Sequence, residues 1–383
     1  MSYRIVILGL SITSSWGNGH ATTYRALVRE MVRRGHDVLF LERDVPWYAA
    51  HRDLPHPPYG RTMLYNDLDE LGDRFTGEVR QADMVMVGSF VPEGVVVGRW
   101  ATEVAQGPVA FCDIDTPVTL TKLSGGDYAY LSPELIPRYD LYLSFSGGPT
   151  LERLADEYGA RQVRAFLCSV DPEIYYPEQQ PIEWDLGYMG TYSADRQPPL
   201  ERLLVEPARR WAEGRFIVAG PQYPESVHWP DNVRRVDHLP PARHRAFYNS
   251  QRYTLNVTRQ EMIRAGYSPS VRLFEAAACG TPVISDYWPG LETFFAIGQE
   301  ILIARRSEDS LRYLRETPEE ERRAMARRAR QRVLTEHTAE RRVEQLEGYL
   351  GELLSPRSAP GSGSEQGAGV RMGCPRRAAD KAT

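Results

Sequence analysis

The stretch SPSVRLFEAAACGTPVISD, Ser268 to Asp286, decides how the chain is read. Ser270 suits an N-cap. Gly280 suits the position just past a helix, where a left-handed backbone is needed. The spacing between them predicts a helix of about nine residues running straight into the strand TPVISD. Ala276, Ala277 and Ala278 allow close packing, but a structural helix has little use for Glu275 beside them. In a parallel sheet the N-terminus of such a helix points to the carboxyl edge of the strands, where ligands bind. That end carries free N–H groups and partial positive charge, which suit a phosphate. Arg272 opposes the helix dipole there, a cost that a phosphate contact offsets. One turn in, the carboxylate of Glu275 can accept both vicinal hydroxyls of a ribose.

Outward from this unit, short apolar runs alternate with helical segments. RIVILGL from Arg4, DVLFLE from Asp37, DMVMVGS from Asp83, PVAFCDI from Pro108, DLYLSFS from Asp140 and VRAFLCS from Val163 read as buried parallel strands. Tyr24, Leu27, Val28 and Met31 follow helical spacing in an amphipathic helix from Ala21 to Arg34, closed by Gly35. A proline- and acid-rich segment then breaks the pattern. A second series follows: the strand DLGYMGT from Asp185, a helix over Pro199–Glu213, and the strands RFIVAG, RYTLNVT, TPVISD and EILIA. The expected architecture is α/β, with two Rossmann-like domains and a cleft between them. The divisions are 1–170, a linker over 171–184, a second domain over 185–335, a helix over 336–354 that packs back on the first domain, and a disordered tail over 355–383.

Composition narrows the function classes. The chain has 383 residues, 42% hydrophobic and 25% charged, with a net charge of −5. It offers no basic excess for a nucleic acid. No run approaches the roughly 18 apolar residues of a membrane span. The N-terminal MSYRIVILGL reads as a strand rather than a signal peptide. Cys112, Cys168, Cys279 and Cys374 show neither disulfide nor zinc spacing, so reduced thiols in a cytoplasmic protein are expected. Three of them would be buried.

SVRLFEAAACGTPVISD resembles the donor-site motif of GT-B glycosyltransferases, and is most similar to the CgeB-related subgroup. GYMGTYSADRQPPLERLL, CSVDPEIYYP, FIVAGP, and LNVTR followed by GYSPSVRLFEAAACG resemble the same fold's second-domain opening, linker, base strand and donor loop. The resemblance spans residues 3 to 350. It implies transfer of a sugar from a nucleoside diphosphate sugar to an acceptor held by the first domain, with no cofactor and no metal. Retaining members carry Glu-x7-Glu. Eight residues before Glu275 stands Tyr267, so retention does not carry over.

The resemblance also implies roles elsewhere. His20, closing the loop with Gly17 and Gly19, would act as base toward the acceptor, with Asp115 as the alternative. Asp113 would cap local backbone near the cleft; the Asp113–Asp115 pair is a weak metal signal. Arg196, Arg259 and Arg272 would neutralise the diphosphate, and Gly190, Gly220, Ser270 and Glu292 would complete the donor set, with Asp286 and Gly290 bordering the sugar. Rival readings are a sugar-nucleotide 2-epimerase of the same fold and a non-catalytic spore or envelope assembly protein. An NAD-dependent oxidoreductase using Glu42 on a ribose fits less well, because no G-x-G-x-x-G turn follows the first strand.

Overall fold

The computed structural model describes residues 2–17 and 19–355, so Cys374 and the tail beyond Ser355 lie outside the described residues. The first seven strands are β1 Arg4–Gly9, β2 Asp37–Arg43, β3 Arg61–Tyr65, β4 Met84–Gly88, β5 Val109–Asp113, β6 Leu141–Ser144 and β7 Val163–Ala165. They form one sheet in the order β3-β2-β1-β4-β5-β6-β7. The next six are β8 Trp184–Met189, β9 Phe216–Ala219, β10 Val233–Val236, β11 Gln251–Asn256, β12 Val283–Ser285 and β13 Ile301–Ile303. Their order is β10-β9-β8-β11-β12-β13. Every pairing is parallel. Helices cover both faces, which is why β4 and β5 are buried along their whole length. In each sheet the order reverses beside its first strand, at β1/β4 and at β8/β11. The crevices for ligands open there, beyond the carboxyl ends.

Two strands escape an apolar-run reading. β3 and β10 are edge strands. RTMLY has exposed Arg61 and Met63 between half-buried neighbours and only Tyr65 buried, and VRRV carries two arginines. The expected strand from Val163 to Ser169 pairs only over β7, because the carbonyl of Leu167 instead accepts from Arg342 Nε at 2.8 Å. The expected helix over Pro199–Glu213 is helical from Gln197 to Arg210 but widens into a π turn at Glu201–Val205. Pro207 explains the widening. It has no N–H for the regular ladder, and its ring would strike the carbonyl one turn earlier.

After the second domain the chain crosses back. Val170 N bonds His337 O at 3.0 Å and Ala339 N bonds Val170 O at 2.9 Å, tying the linker to the start of helix Ala339–Leu354. That helix packs on helix His20–Arg33 through the buried Val343, Leu346 and Leu350. Glu347 receives both Arg34 (2.6 Å) and His36 Nε2 (2.9 Å). This contact fixes the helix that begins at the cleft. Leu346→Ala should lower stability by about 2–4 kcal/mol in denaturant titration. Nucleotide affinity measured on the folded protein should be unchanged.

Candidate functional site

The helix singled out by the sequence runs from Val271 to Ala278. Its C-terminus is closed by Gly280, whose φ of 73° permits Gly280 N→Ala277 O and Thr281 N→Ala276 O, both 2.9 Å. The N-terminus differs from expectation. Ser270 holds the N-cap position, but its hydroxyl makes no bond to a first-turn N–H and instead accepts weakly from Arg272 at 3.5 Å. The first-turn N–H groups therefore remain without a side-chain cap.

Arg272 is buried, 8% exposed. It donates to Met189 O at 2.6 Å and Asn256 Oδ1 at 2.7 Å, with its guanidinium 5.0 Å over the Tyr188 ring. Arg196, at the end of the loop after β8, donates to Thr191 O at 2.6 Å and leaves its buried Nε without a partner. Neither forms an ion pair with a carboxylate among the described residues. Burial lowers the pKa of Arg196, and the charges of Arg272 and Arg259 lower it further. A buried Arg272 in the first turn of an uncapped helix, with the half-buried Arg196 near enough to feel its charge though outside the cleft lining, is an arrangement that an anion stabilises. Arg259 stands differently: it reaches across to the first domain, 3.6 Å from Asp115.

Glu275 is 3% exposed and accepts from Tyr248 OH at 2.9 Å. Burial, then the charge of Glu275, push the phenols of Tyr248 and Tyr175 far above their ordinary range, so both stay neutral donors. Glu275 lines a cleft of about 200 Å³ between the domains, together with Ser270, Arg272, Gly190 and Gly220. Gly17 and Gly19 face it from the first domain. Gly220 is required by close approach: its φ is 148°, and a Cβ there would lie 2.0 Å from Gly190 O. His238, Leu239, His244 and Tyr248 complete this wall. They follow β10, and with that edge strand unread nothing in the sequence places them here. Trp16 meets this wall from the first domain, stacked on His51 at 4.5 Å and tilted against His238 at 4.5 Å.

On the first-domain side, Glu42 is fully buried and binds the loop after β1. It accepts from Ser11 Oγ (2.9 Å), Ile12 N (2.7 Å), Thr13 N (3.0 Å) and Thr13 Oγ1 (2.6 Å). It is a loop anchor, not a ligand group. The loop leads to His20, the first residue of its helix. Burial, and then the charge of Arg259, bring His20 down to about 4. That departs from the expected base near neutrality. Asp115 moves the other way: burial outweighs Arg259 and raises it to about 6. Asp113 does not reach the cleft. It is 0% exposed, with Oδ1 accepting from Thr119 Oγ1 (2.7 Å) and Oδ2 from Tyr142 OH (2.6 Å). With both its oxygens engaged internally, the Asp113–Asp115 pair presents no common point to a metal. Glu292 is exposed on a short turn and does not line the cleft. Asp286 is buried, bound to Thr258 N (2.9 Å) and Thr258 Oγ1 (2.7 Å).

Comparison with known proteins meets this geometry. A family model described as "Glycosyl transferase-like" matches residues 196–348. No curated protein sequence matches. Sucrose-phosphate synthase from Thermosynechococcus elongatus superposes with a TM-score of 0.64 at 15% identity, over 91% of this chain and 99% of that one. HepE of Anabaena in complex with UDP-glucose gives 0.69 at 12% identity, over 92% and 100%. An alpha-glucosyltransferase in complex with UDP-glucose and DNA containing an abasic site gives 0.69 at 13% identity, over 91% and 100%. The fold is that of the GT-B glycosyltransferases.

Within that fold, Tyr267 stands where the retaining-family motif has its first carboxylate, and the structure gives it another contact. Its φ is 48°, and its carbonyl accepts from Gly147 N at 2.9 Å across the domain boundary. Its ring lies between two glycines. A Cβ on Gly148 would fall 2.4 Å from it, and one on Gly290 would fall 2.5 Å from it. Gly148→Ala should therefore pry this contact open and speed protease cleavage in the 171–184 linker. The double variant Gly148→Ala/Tyr267→Ala should cleave no faster than Gly148→Ala alone. Additive effects would show that the ring does not join the domains.

Proposed function

We propose that the protein is a glycosyltransferase that moves a sugar from a uridine diphosphate sugar to an acceptor hydroxyl. The observation that carries the reading is Arg272, buried without a carboxylate partner in the first turn of the helix bearing Glu275, with a second guanidinium, Arg196, near enough to feel its charge. They suit a diphosphate, and Glu275 one turn away suits a ribose. The UDP-glucose bound by HepE and by the alpha-glucosyltransferase supports uridine as the nucleoside. The sequence resemblance around Leu255–Arg259 and Gly266–Gly280 supports the CgeB-related subgroup. A hexose is the expected cargo, and the cytoplasm the expected site of action.

In the reaction the acceptor oxygen forms a bond to the anomeric carbon. The bond from that carbon to the diphosphate oxygen breaks, and the nucleoside diphosphate leaves with its negative charge held by Arg196, Arg272 and the helix N-terminus. These cations supply the charge stabilisation that metal-dependent enzymes take from an ion. The acceptor proton goes to a group at the junction of the domains. His20 is neutral at pH 7 but weakly basic, whereas Asp115, raised to about 6, is the better-matched base. These directions favour Asp115 over His20, the opposite of the order drawn from sequence.

Calorimetry with UDP and no added metal tests the donor half. Arg196→Ala and Glu275→Gln should each weaken binding by roughly 10- to 100-fold, the scale of a lost charged hydrogen bond. Unchanged affinity in both variants would refute the site. The pH profile of transfer tests the other half. A base must be deprotonated to act, so the rate should rise with pH through about 6 in the parent. Asp115→Asn should remove that limb, and His20→Gln should leave its position unchanged. A limb near 4 that disappears in His20→Gln would return the role to His20. Conversion of the free nucleotide sugar with no acceptor present would instead identify an epimerase.

A further inference from the structure

The loop after β4 holds a feature that the donor chemistry does not use. Phe90 and Glu93 both adopt left-handed backbone, with φ of 64° and 54°. For a bulky residue such as Phe this conformation is strained, and Gly or Asn would relieve it. The loop is nonetheless firmly held. Glu93 pairs with Arg43, Val91 is 1% exposed, and Gly94 lies so close to Tyr130 that a Cβ would fall 2.7 Å from its carbonyl oxygen. Ser89 Oγ accepts from Ile114 N at 3.1 Å, which ties this loop to the one bearing Asp115. What the strain presents is a half-buried ring. Phe90 lies edge-on to His20 at 5.3 Å and tilted over Tyr130 at 4.5 Å. It sits at the β1/β4 crevice, beside one candidate base and linked through Ser89 to the other.

We infer that Phe90 is the wall against which the acceptor lies, and that the acceptor hydroxyl is borne on or next to a ring with an apolar face. This rests on the transferase reading. A hydroxyl brought to the His20–Asp115 junction has the Phe90 ring as a neighbour, and an aromatic face favours a flat apolar partner over a flexible, fully hydrated one. Asp115 and Arg259 pair with each other across the same junction, so their charges largely cancel toward a ligand. A sugar ring and an aromatic ring both present such a face, and the test separates them. Strain at functional edges persists where it serves binding, and a Phe held left-handed beside the candidate bases fits that pattern.

Saturation-transfer NMR on the full chain with UDP present decides the matter, using methyl β-D-glucopyranoside, benzyl alcohol and glycerol as probes. At least one ring probe should show contact at least 5-fold above glycerol; which one does so distinguishes a sugar-ring from an aromatic acceptor. Phe90→Gly should abolish that contact, and Phe90→Tyr should restore it. Because Gly relieves the left-handed strain, the thermal midpoint of Phe90→Gly should change little, whereas a purely structural Phe90 would give a large drop with ring contact retained. Ring probes no better than glycerol, or contact retained in Phe90→Gly, would overturn the inference. Should Phe90→Gly fail to fold, Phe90→Leu, apolar but without a flat face, takes its place with the same expected loss. UDP affinity is measured on the same samples. Its absence from the parent would sink the transferase reading, while normal UDP affinity with failed ring probes would sink only this proposal.

Discussion

A buried positive charge without a carboxylate partner is the constraint on which the second domain turns. Desolvating a guanidinium costs several kcal/mol unless polar groups replace its water. The fold replaces that water around Arg272 with a strand-end carbonyl (Met189), a side-chain amide (Asn256) and an aromatic face (Tyr188). Asn256 is in turn oriented by donating to Thr258 Oγ1 and Ser285 Oγ, at 3.1 and 3.0 Å. Asp286 fixes Thr258 through both its backbone and its hydroxyl. These groups come from the ends of β8, β11 and β12. Only the strand order that places β8 beside β11 brings them around one side chain. The sheet topology and the charged site therefore have one physical basis: neutral dipoles hold a cation in place and leave its charge for a ligand.

The first domain solves a different problem with the opposite charge. Its loop after β1 must run from a buried strand to the cleft without a helix to hold it. Glu42 supplies the anchor from the neighbouring strand, and Arg25 supplies another, donating from Nε to Ile12 O at 2.9 Å while pairing with Asp53. Asp53 then accepts from Ser15 N at 2.8 Å. A buried carboxylate accepting four hydrogen bonds is satisfied as an anion and makes a rigid cradle. The segment carrying Gly17, Gly19 and His20 is thereby set against the second domain, where Trp16 meets His238.

Much of this architecture is legible in the sequence because burial on both faces writes itself as apolar runs. β1, β2, β4, β5 and β6 read directly. So does the helix bearing Glu275, since its Gly280 closure is a local signal. The less legible parts share a physical character. β3 and β10 lie at sheet edges, where half the residues meet water. With β10 unread, His238 and Tyr248 could not be placed beside Glu275. The inward turn of Asp113 depends on Thr119 in the helix that follows and on Tyr142, 29 residues away on the neighbouring strand, a pairing that no spacing announces. The opposite shifts of His20 and Asp115 depend on burial beside Arg259, which exists only once the domains meet.

Strain marks the same edge. Among the described residues, the non-glycine positions with left-handed backbone are Phe90, Glu93, Gln222 and Tyr267. Phe90 and Glu93 follow β4, Gln222 follows β9, and Tyr267 lies between β11 and the donor helix. All are in connections that follow the carboxyl ends of parallel strands, Tyr267 after the short helix Gln260–Ala265. A chain selected for stability alone would place glycine or asparagine at such positions, as it does at Gly280. Keeping bulky side chains there forgoes stability, and it does so on the side of both sheets where the crevices open. The opposite edges show no such residue among those described. The asymmetry gives the two Rossmann-like units a common polarity. Their carboxyl edges hold the left-handed side chains, Tyr267 at the contact between the domains and Phe90 beside the β1/β4 crevice.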